Sequence, residues 1–496
     1  MKTALLLQQW MPGLYQLKHY ERKWLKDDAR AAFSVVAVAL PVAIAYAQLT
    51  GVSAIVGLYS CILPMMVYAL FGTSRQLIVG PDAATCAVIA AVVTPIAAGD
   101  ATKHWQLVMT MTAMTGLWCV LASRFKLGIL ADFLSRPILL GLLNGVALTI
   151  IVGQFAKVSG LNFEQRYLLE RLIEAPSLLL DVHWQTLMIT LVTTAIYFAS
   201  KRYRPNWPAA MIAIIVATFL VWSTQLDTMG VQVVGAIEGG LPIFQAPIFD
   251  IGVSRELVMP ALNLALVSFV SMMLTARSFA AKNGYDIDAD REFRALGFAN
   301  LASAFSQGFA ISGADSRTAV NDANGGKSQL VQIIAAVVIA LVAIFIYQPL
   351  QYIPIAALGV VLIIASTSLL DLKGIWSLRK RDKDAFILAT ITFVSVLVIG
   401  VIPGITLAVL LGLFQFIRVV MRPSDQMLGL DDAGTIRTID DSGKATPIPG
   451  IVIFRFNSPL TYFNAPYFKR RILEQAEQNR ADTGCVIIDA VASFTH

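Results

Sequence analysis

Apolar segments long enough to cross a lipid bilayer recur through most of this chain, from Ala31 to Val420. A transmembrane helix needs roughly 20 mainly apolar residues, because the hydrocarbon core of the bilayer is about 30 Å thick. With 57% hydrophobic and 14% charged residues, the composition excludes an ordinary soluble protein. We count about fourteen crossings, centred near Ala39, Leu63, Ala90, Thr112, Ala147, Thr193, Ile214, Val267, Ala299, Val320, Ala336, Val361, Val394 and Leu410. The sequence therefore predicts an all-α polytopic membrane protein.

Basic residues cluster after even numbers of predicted crossings, as expected of cytoplasmic loops. They precede the first crossing and follow the second, fourth, sixth, eighth and twelfth, as in Arg22, Lys26, Arg75, Arg124, Lys126, Lys201, Arg202, Arg277, Lys282, Arg379 and Lys380. Residues 1–30 lack the apolar core and cleavage site of a secretory signal. We expect a bacterial inner-membrane protein with both termini cytoplasmic. These loops also account for the net charge of +6, so no nucleic-acid partner is expected.

Two short polar motifs interrupt the apolar pattern, Gly80–Thr85 (GPDAAT) and Ser312–Thr318 (SGADSRT). Each lies between an extended apolar lead-in and a run of small residues, which predicts two helices that begin inside the membrane. A helix start offers unpaired N–H groups and roughly half a positive charge, which suits an anion. The motifs occupy equivalent places in two halves of about seven crossings each, 31–222 and 258–420, which predicts the inverted repeat of a secondary transporter.

Arg317 in the second motif is the strongest candidate for binding an anion. A guanidinium stays charged, and an arginine at bilayer depth is costly unless it faces water or a partner. The structural alternative is a permanent ion pair with Asp82 or Asp315. Tyr46, in the first crossing, either contacts the anion through its ring edge or simply packs within the bundle.

Asp82 has two interpretations that lead to different functions. An aspartate at a helix start is a good N-cap, accepting from the N–H groups of Ala84 or Thr85. Its ionised carboxylate, however, would stand where an anion binds, so protonation of Asp82 would couple proton movement to anion entry. We interpret Asp315, at the second helix start, as a cap rather than as a proton carrier.

Other classes of function find little support in the sequence. The HExxH and GxSxG motifs are absent, and the four histidines are remote from both polar motifs, so we expect no enzyme. The four cysteines are scattered, which argues against a metal site, and no cofactor is expected. Gly325–Ser328 ends like a phosphate-binding loop, but Asn321 replaces the required first glycine. A channel, or a carrier of neutral nucleobases, is distinguished only by experiment.

The composition becomes polar after Arg422–Pro423. A strand at Ile451–Phe456, a helix at Tyr467–Asn479 and a strand at Cys485–Asp489 predict a small α/β cytoplasmic domain over 423–496. These elements are too few to close a compact core, so the chain is expected to stop inside that domain.

Several longer motifs resemble the SulP family of sulfate permeases and related anion transporters. They are Leu40–Ala47 (LPVAIAYA), Gly57–Ser60 (GLYS), Phe71–Ala84 (FGTSRQLIVGPDAA), Ser316–Asp322 (SRTAVND) and Gly326–Leu330 (GKSQL). The resemblance implies a seven-plus-seven inverted repeat, in which a core domain moves against a gate domain in elevator-like alternating access. It also implies a homodimer and a C-terminal STAS domain, of which 423–496 would be the first part.

The same resemblance places the anion between the third and tenth crossings. Carried over by position, the site comprises side chains and backbone N–H groups of Tyr46, Asp82, Ala83, Ala84, Thr85, Ala314, Asp315, Ser316 and Arg317. The expected partners are a small anion, protons, membrane lipid and a second copy of the chain.

One position departs from the family pattern. Many relatives have an acidic residue in the eighth crossing for proton or sodium coupling, where this chain has Ser271. A hydroxyl holds no charge, so a sodium site is not expected, and coupling through Asp82 or simple exchange becomes more plausible. We predict sulfate as substrate, then short dicarboxylates such as fumarate and succinate, then bicarbonate, because helix starts and one arginine favour negative charge without encoding one shape. An uncoupled anion channel is the second alternative.

Overall fold

The computed structural model describes residues 9–128, 136–161, 182–204, 207–248, 251–431, 433–439, 445–478 and 484–489. The chain separates into two compact units, Met1–Val409 and Leu410–His496. The division precedes the change in composition at Arg422–Pro423, because the last long helix continues across it.

The first unit is helical, and its described residues up to Thr224 form nine α-helices around one short strand. They are α1 (Pro12–Lys18), α2 (Leu25–Thr50), α3 (Ala54–Tyr59), α4 (Leu63–Phe71), β1 (Val79–Gly80), α5 (Ala83–Ala97), α6 (Ala101–Arg124), α7 (Arg136–Ser159), α8 (Trp184–Tyr203) and α9 (Ala209–Thr224). The long apolar runs form helices because only a helix pairs every backbone group within the segment. Helix α2 ends at Gly51, whose left-handed conformation (φ 78°) provides the usual helix stop.

The rest of this unit repeats the pattern of helices around a short strand. It contains α10 (Ile251–Asn283), α11 (Ala289–Phe305), β2 (Ser312–Gly313), α12 (Asp315–Ala323), α13 (Leu330–Phe345), α14 (Tyr347–Leu350), α15 (Ile355–Thr367), α16 (Leu372–Arg381), α17 (Lys383–Ile399) and α18 (Val401–Met421), which continues into the second unit.

The predicted helical membrane fold is confirmed. Every predicted crossing centre falls within a helix, from Ala39 in α2 to Leu410 in α18. Six described helices are long and apolar enough to span a bilayer, and three shorter apolar ones, including α5, accompany them. The tenth crossing is the short polar helix α12, as a broken helix requires. The inverted symmetry of the two halves stays a prediction.

Glycines bring pairs of helix backbones close together. A Cβ at Gly116 of α6 would lie 2.8 Å from the carbonyl oxygen of Gly297 in α11. A Cβ at Gly141 of α7 would lie 2.2 Å from the carbonyl oxygen of Ala389 in α17. Small residues allow such close contacts, which are the main source of helix association in lipid.

Strands β1 and β2 pair antiparallel over two residues, with Val79 opposite Gly313 and Gly80 opposite Ser312. The Ala314 N–H extends the pairing by donating to the Ile78 carbonyl at 2.9 Å. Because each strand leads directly into a helix, this pairing brings the starts of α5 and α12 together.

The second unit contains a sheet with the strand order β4-β3-β6-β7, in which β5 also pairs with β3. The strands are β3 (Asp425–Asp431), β4 (Ile436–Thr438), β5 (Ala445–Thr446), β6 (Ile451–Phe456) and β7 (Cys485–Asp489), with helix α19 (Ala465–Gln478) between the parallel pair β6 and β7. The two predicted strands and the predicted helix are confirmed, whereas β3, β4 and β5 were not predicted. Phe454 and Phe456 pack against Phe468 of α19 and form a small core.

Candidate functional site

A cavity of about 210 Å³ lies at the starts of α5 and α12. Its wall includes both polar motifs and parts of α2, α8, α9 and α15. The volume is below the range typical of drug-sized ligands and many times that of one water molecule, so it suits a small ion or a short acid. Seven of the nine predicted site residues line it: Tyr46, Asp82, Ala83, Ala314, Asp315, Ser316 and Arg317.

Arg317 lies in the first turn of α12 and is only 1% exposed. One terminal nitrogen, Nη2, donates to the Pro81 carbonyl, and Nη1 lies 4.0 Å from the Cys61 sulfur. The Nε atom has no partner within the described part of the chain. A Cβ at Gly80 would lie 2.5 Å from Nη1, so the glycine provides the space for this guanidinium.

The predicted alternative, a permanent ion pair with Asp82 or Asp315, is not formed by Arg317 among the described residues. Among the described residues its hydrogen-bond partners are the Pro81 carbonyl and the Cys61 thiol, and Arg317 lines the cavity. Since a buried charge is costly without compensation, this arrangement leaves the guanidinium suited to binding an anion.

The start of α5 is capped by its own carboxylate, as predicted. Asp82 accepts from the Ala84 N–H at 3.2 Å, and the Thr85 hydroxyl donates to the Asp82 carbonyl at 2.8 Å. Ala84 and Thr85 are buried and lie outside the cavity wall. The first motif therefore presents Pro81, Asp82 and Ala83 to the cavity, and Ala84 and Thr85 pack within the bundle.

The start of α12 differs, and the prediction that Asp315 caps it is wrong. The N-cap position is Ala314, which offers no side-chain acceptor, and Asp315 is already the first helical residue. Its carboxylate instead accepts from the Thr275 hydroxyl of α10. The reason is geometric, because a residue inside the first turn directs its side chain outward rather than back over the helix start. The Ala314 N–H donates to the Ile78 carbonyl. No side chain caps the start of α12, and Asp315 and Ser316 at this start line the cavity.

Tyr46 lies on the face of α2 that also carries Val38 and Val42, and all three line the cavity. Ser271 of α10 is buried and does not line it, although its carbonyl accepts from Thr275 at 3.3 Å. Residue 271 therefore lies one turn before Thr275, the donor to Asp315, and carries no acidic group.

A buried amide network around β1 was missed by the sequence analysis. The Gln332 side chain accepts from the Val79 N–H and donates to the Leu77 carbonyl, both at 3.0 Å. The Thr318 hydroxyl accepts from the Ile78 N–H at 3.0 Å, and Asn321 donates to the Gln76 carbonyl at 2.8 Å. Extended backbone inside a membrane survives only where side chains pair its polar groups. The glutamine within the apolar start of α13 is the one signal that could have revealed this network.

Two buried carboxylates support neighbouring turns. Glu292 accepts from the Tyr68 hydroxyl at 2.6 Å, from the Thr73 N–H and hydroxyl at 2.6 and 2.5 Å, and from the Ser74 N–H at 3.0 Å. Asp28 accepts from the Lys327 N–H at 2.6 Å and from the Ser328 hydroxyl at 2.7 Å. The segment that resembled a phosphate-binding loop is thus a turn held by α2.

Comparisons with known proteins agree with this picture. The description "Sulfate permease family" matches residues 25–392. A protein of Mycobacterium tuberculosis (strain CDC 1551 / Oshkosh) named "Probable sulfate transporter" is 36% identical over 482 residues, which is 97% of this chain and 86% of that protein. High affinity sulfate transporter 2 of Stylosanthes hamata is 30% identical over 494 residues, covering 95% of this chain and 74% of that one.

Solved structures share the fold at low sequence identity. The murine Solute Carrier 26 family member A9 anion transporter, in the inward-facing state, aligns with a TM-score of 0.85 at 22% identity and covers 99% of this chain and 84% of its own. The transmembrane domain of the cyanobacterium bicarbonate transporter BicA aligns with a TM-score of 0.66 at 22% identity, over 80% of this chain and 98% of its own. Fold, family match and relatives together show that this chain is a membrane transport protein, not an enzyme, and that it belongs to the sulfate permease family.

Proposed function

We propose that the protein is a secondary active transporter of small oxyanions, with sulfate as its first substrate. The observation that carries this proposal is the Arg317 guanidinium, which has no carboxylate partner among the described residues and borders the same cavity as the uncapped start of α12. Charge-assisted hydrogen bonds from a guanidinium and from N–H groups are the usual protein ligands of sulfate-like anions. The names of the relatives, which are sulfate transporters or probable sulfate transporters, support sulfate as the first substrate.

Alternating access is supported by the direction in which the cavity extends. Its wall follows α2 back to Val38, includes Ala210 at the beginning of α9 and reaches Leu369 just beyond the end of α15. These points lie at the end of the bundle where Lys201 and Arg379 are found, the predicted cytoplasmic side. We therefore interpret the conformation as inward-facing, with both termini cytoplasmic in a bacterial inner membrane.

The helices that line the cavity fall into two groups in the proposed mechanism, a moving core and a gate. The helix starts at α5 and α12, with α2, would form the moving core, and α8, α9 and α15 the gate on the other side of the anion. The antiparallel pairing of β1 with β2 supports an inverted relation between the halves. The α/β unit after α18 would be part of a STAS domain, and the protein would act as a homodimer with an elevator-like motion.

The test is uptake of labelled sulfate into proteoliposomes, comparing the parent with Arg317→Ala. We expect saturable uptake that falls at least tenfold in the variant, because the main positive charge of the site is lost. Arg124→Ala is the matched control, since Arg124 is exposed at the end of α6, away from the cavity. Equal uptake by parent and Arg317→Ala would remove Arg317 from the site. Fumarate and bicarbonate as competitors rank the alternative substrates, and large currents without counterflow would indicate a channel.

Proton coupling through Asp82 has its own experiment. An inward proton gradient should stimulate sulfate uptake by the parent, and Asp82→Asn should transport without that stimulation, because an amide cannot take up a proton. Gradient stimulation that persists in Asp82→Asn would exclude this residue as the coupling group. Absence of stimulation in the parent would favour exchange.

A further inference from the structure

Lys157 connects two helices at the end of the bundle opposite to the cavity extension. It lies in the last turn of α7 and donates from Nζ to the Gln48 carbonyl of α2 at 3.4 Å. Gln48 follows Tyr46 by two residues, so this contact lies about 3 Å further along α2 than the tyrosine that lines the cavity. A single hydrogen bond therefore links α7 to α2 a short distance beyond the proposed anion site.

The described surroundings of Lys157 offer it one acceptor. Within the described ranges it forms no ion pair, and the Gln48 carbonyl is the acceptor that it contacts. Gln154, one turn earlier on α7, is 2% exposed, and its Oε1 atom has no donor among the described atoms. A charged amine in a membrane protein needs partners, and among the described residues Lys157 has a single neutral carbonyl.

Gly359 of α15 allows α7 to close against α15 at this point. A Cβ at Gly359 would lie 2.9 Å from Val158 Cγ1, 3.6 Å from Lys157 Cβ and 3.7 Å from Gln154 Oε1. Lys157 therefore lies on a helix packed closely against α15, which the proposed mechanism assigns to the gate, whereas Gln48 belongs to the core helix α2. When the opposite side opens, the proposed mechanism separates α2 from this pair of helices. After separation, Lys157 would lose the Gln48 carbonyl and face the opened passage.

We propose that Lys157 is the first protein ligand of the anion on the side opposite to the present opening, and that its hydrogen bond to Gln48 keeps that side shut in this conformation. The proposal rests on the transport function proposed above. An ammonium binds an oxyanion more strongly than it binds a neutral carbonyl, because both partners are then charged. An entering anion would therefore replace the Gln48 carbonyl as the partner of Lys157. It would then move inward to Arg317.

The experiment measures the KM for sulfate separately from each side, in proteoliposomes with one orientation of the protein. For Lys157→Met we expect the KM on the periplasmic side to rise about tenfold, as the loss of one charge-assisted hydrogen bond implies. The KM on the cytoplasmic side should stay within about twofold of the parent value, because Arg317 and the helix starts are unchanged. Lys157→Arg should restore the periplasmic KM.

Lys103→Met is the matched control, since Lys103 is exposed at the start of α6, at the same predicted end of the bundle, and lines no part of the cavity. If Lys157→Met does not fold, Lys157→Gln keeps a donor for the Gln48 carbonyl without the charge and should show the same one-sided rise. Equal KM changes on both sides, or none, would overturn the proposal and assign Lys157 a purely structural role at the end of α7. A parent that transports no anion would instead refute the proposed function, which is a separate result.

Discussion

Gly80→Ala should lower sulfate transport strongly by displacing the Arg317 guanidinium. The added Cβ would lie 2.5 Å from Arg317 Nη1, where ordinary contacts begin at 3.4 Å, so the guanidinium must move by about 1 Å. Arg317 is 1% exposed, and its tip is the movable partner in this clash. A misplacement of about 1 Å at a reacting or binding group costs as much as a hundredfold, or about 2.7 kcal/mol. We therefore expect kcat/KM for sulfate to fall roughly a hundredfold.

The assay for Gly80→Ala combines sulfate uptake with thermal unfolding of the purified protein. Overpacking of this size costs about 1–3 kcal/mol of stability, and the backbone of Gly80 (φ 153°) adds strain because residues with a Cβ rarely adopt it. Gly240→Ala is the matched control, because Gly240 also has a positive φ (139°) and a Cβ there has no neighbour within 4 Å. If Gly80→Ala transports sulfate as well as Gly240→Ala does, the position of Arg317 beside Gly80 has no bearing on the site and the reasoning fails.

Three further predictions follow from contacts away from Arg317. Thr275→Val removes the hydroxyl that donates to Asp315; the freed carboxylate should approach Arg317 and raise the KM for sulfate about tenfold, which an uptake titration would detect. Gln332→Leu leaves the Val79 N–H and the Leu77 carbonyl unpaired and should lower the free energy of unfolding by about 2–6 kcal/mol. The unfolding temperature should fall, and an unchanged unfolding temperature would contradict the role of the amide network. Burial and the nearby Asp28 carboxylate raise the pKa of Tyr20 to about 12. Between about pH 10 and pH 12 the folded protein therefore keeps the phenol neutral while the unfolded chain ionises, so the free energy of unfolding should fall as the pH rises. The fall should be smaller in Tyr20→Phe, which has no phenol to ionise.

The sequence predicted the helical membrane fold well because hydropathy reports directly on the solvent. Each crossing centre falls in a helix, and the two broken helices are where the polar motifs placed them. The motif chemistry also predicted the Asp82 cap, and it singled out Arg317, which lines the cavity. Both follow from local rules, namely the cost of a charge in lipid and the preference of aspartate for the N-cap.

Features that depend on contacts distant in sequence were not predictable. Asp315 has the composition of a cap, yet Thr275, forty residues earlier, is the donor that its carboxylate uses. The pairing of Gln332 with Val79 spans 253 residues and has no periodic pattern. Strands β3 to β5 lie in short polar stretches without the alternation that marks a half-buried strand, so only the apolar strands β6 and β7 were recognised.

The pairing of β1 with β2 constrains the number of residues before each helix start more than it constrains which residues they are. The ladder is two residues long, and the side chains of a strand alternate between its faces. One residue inserted before Pro81 or before Ala314 would shift a helix start by about 3.3 Å and exchange the inward and outward faces of its lead-in. Substitutions in the strands before the two helix starts would be tolerated wherever the size of the side chain is kept. Any change in the number of residues would instead separate the starts of α5 and α12, which line the cavity together.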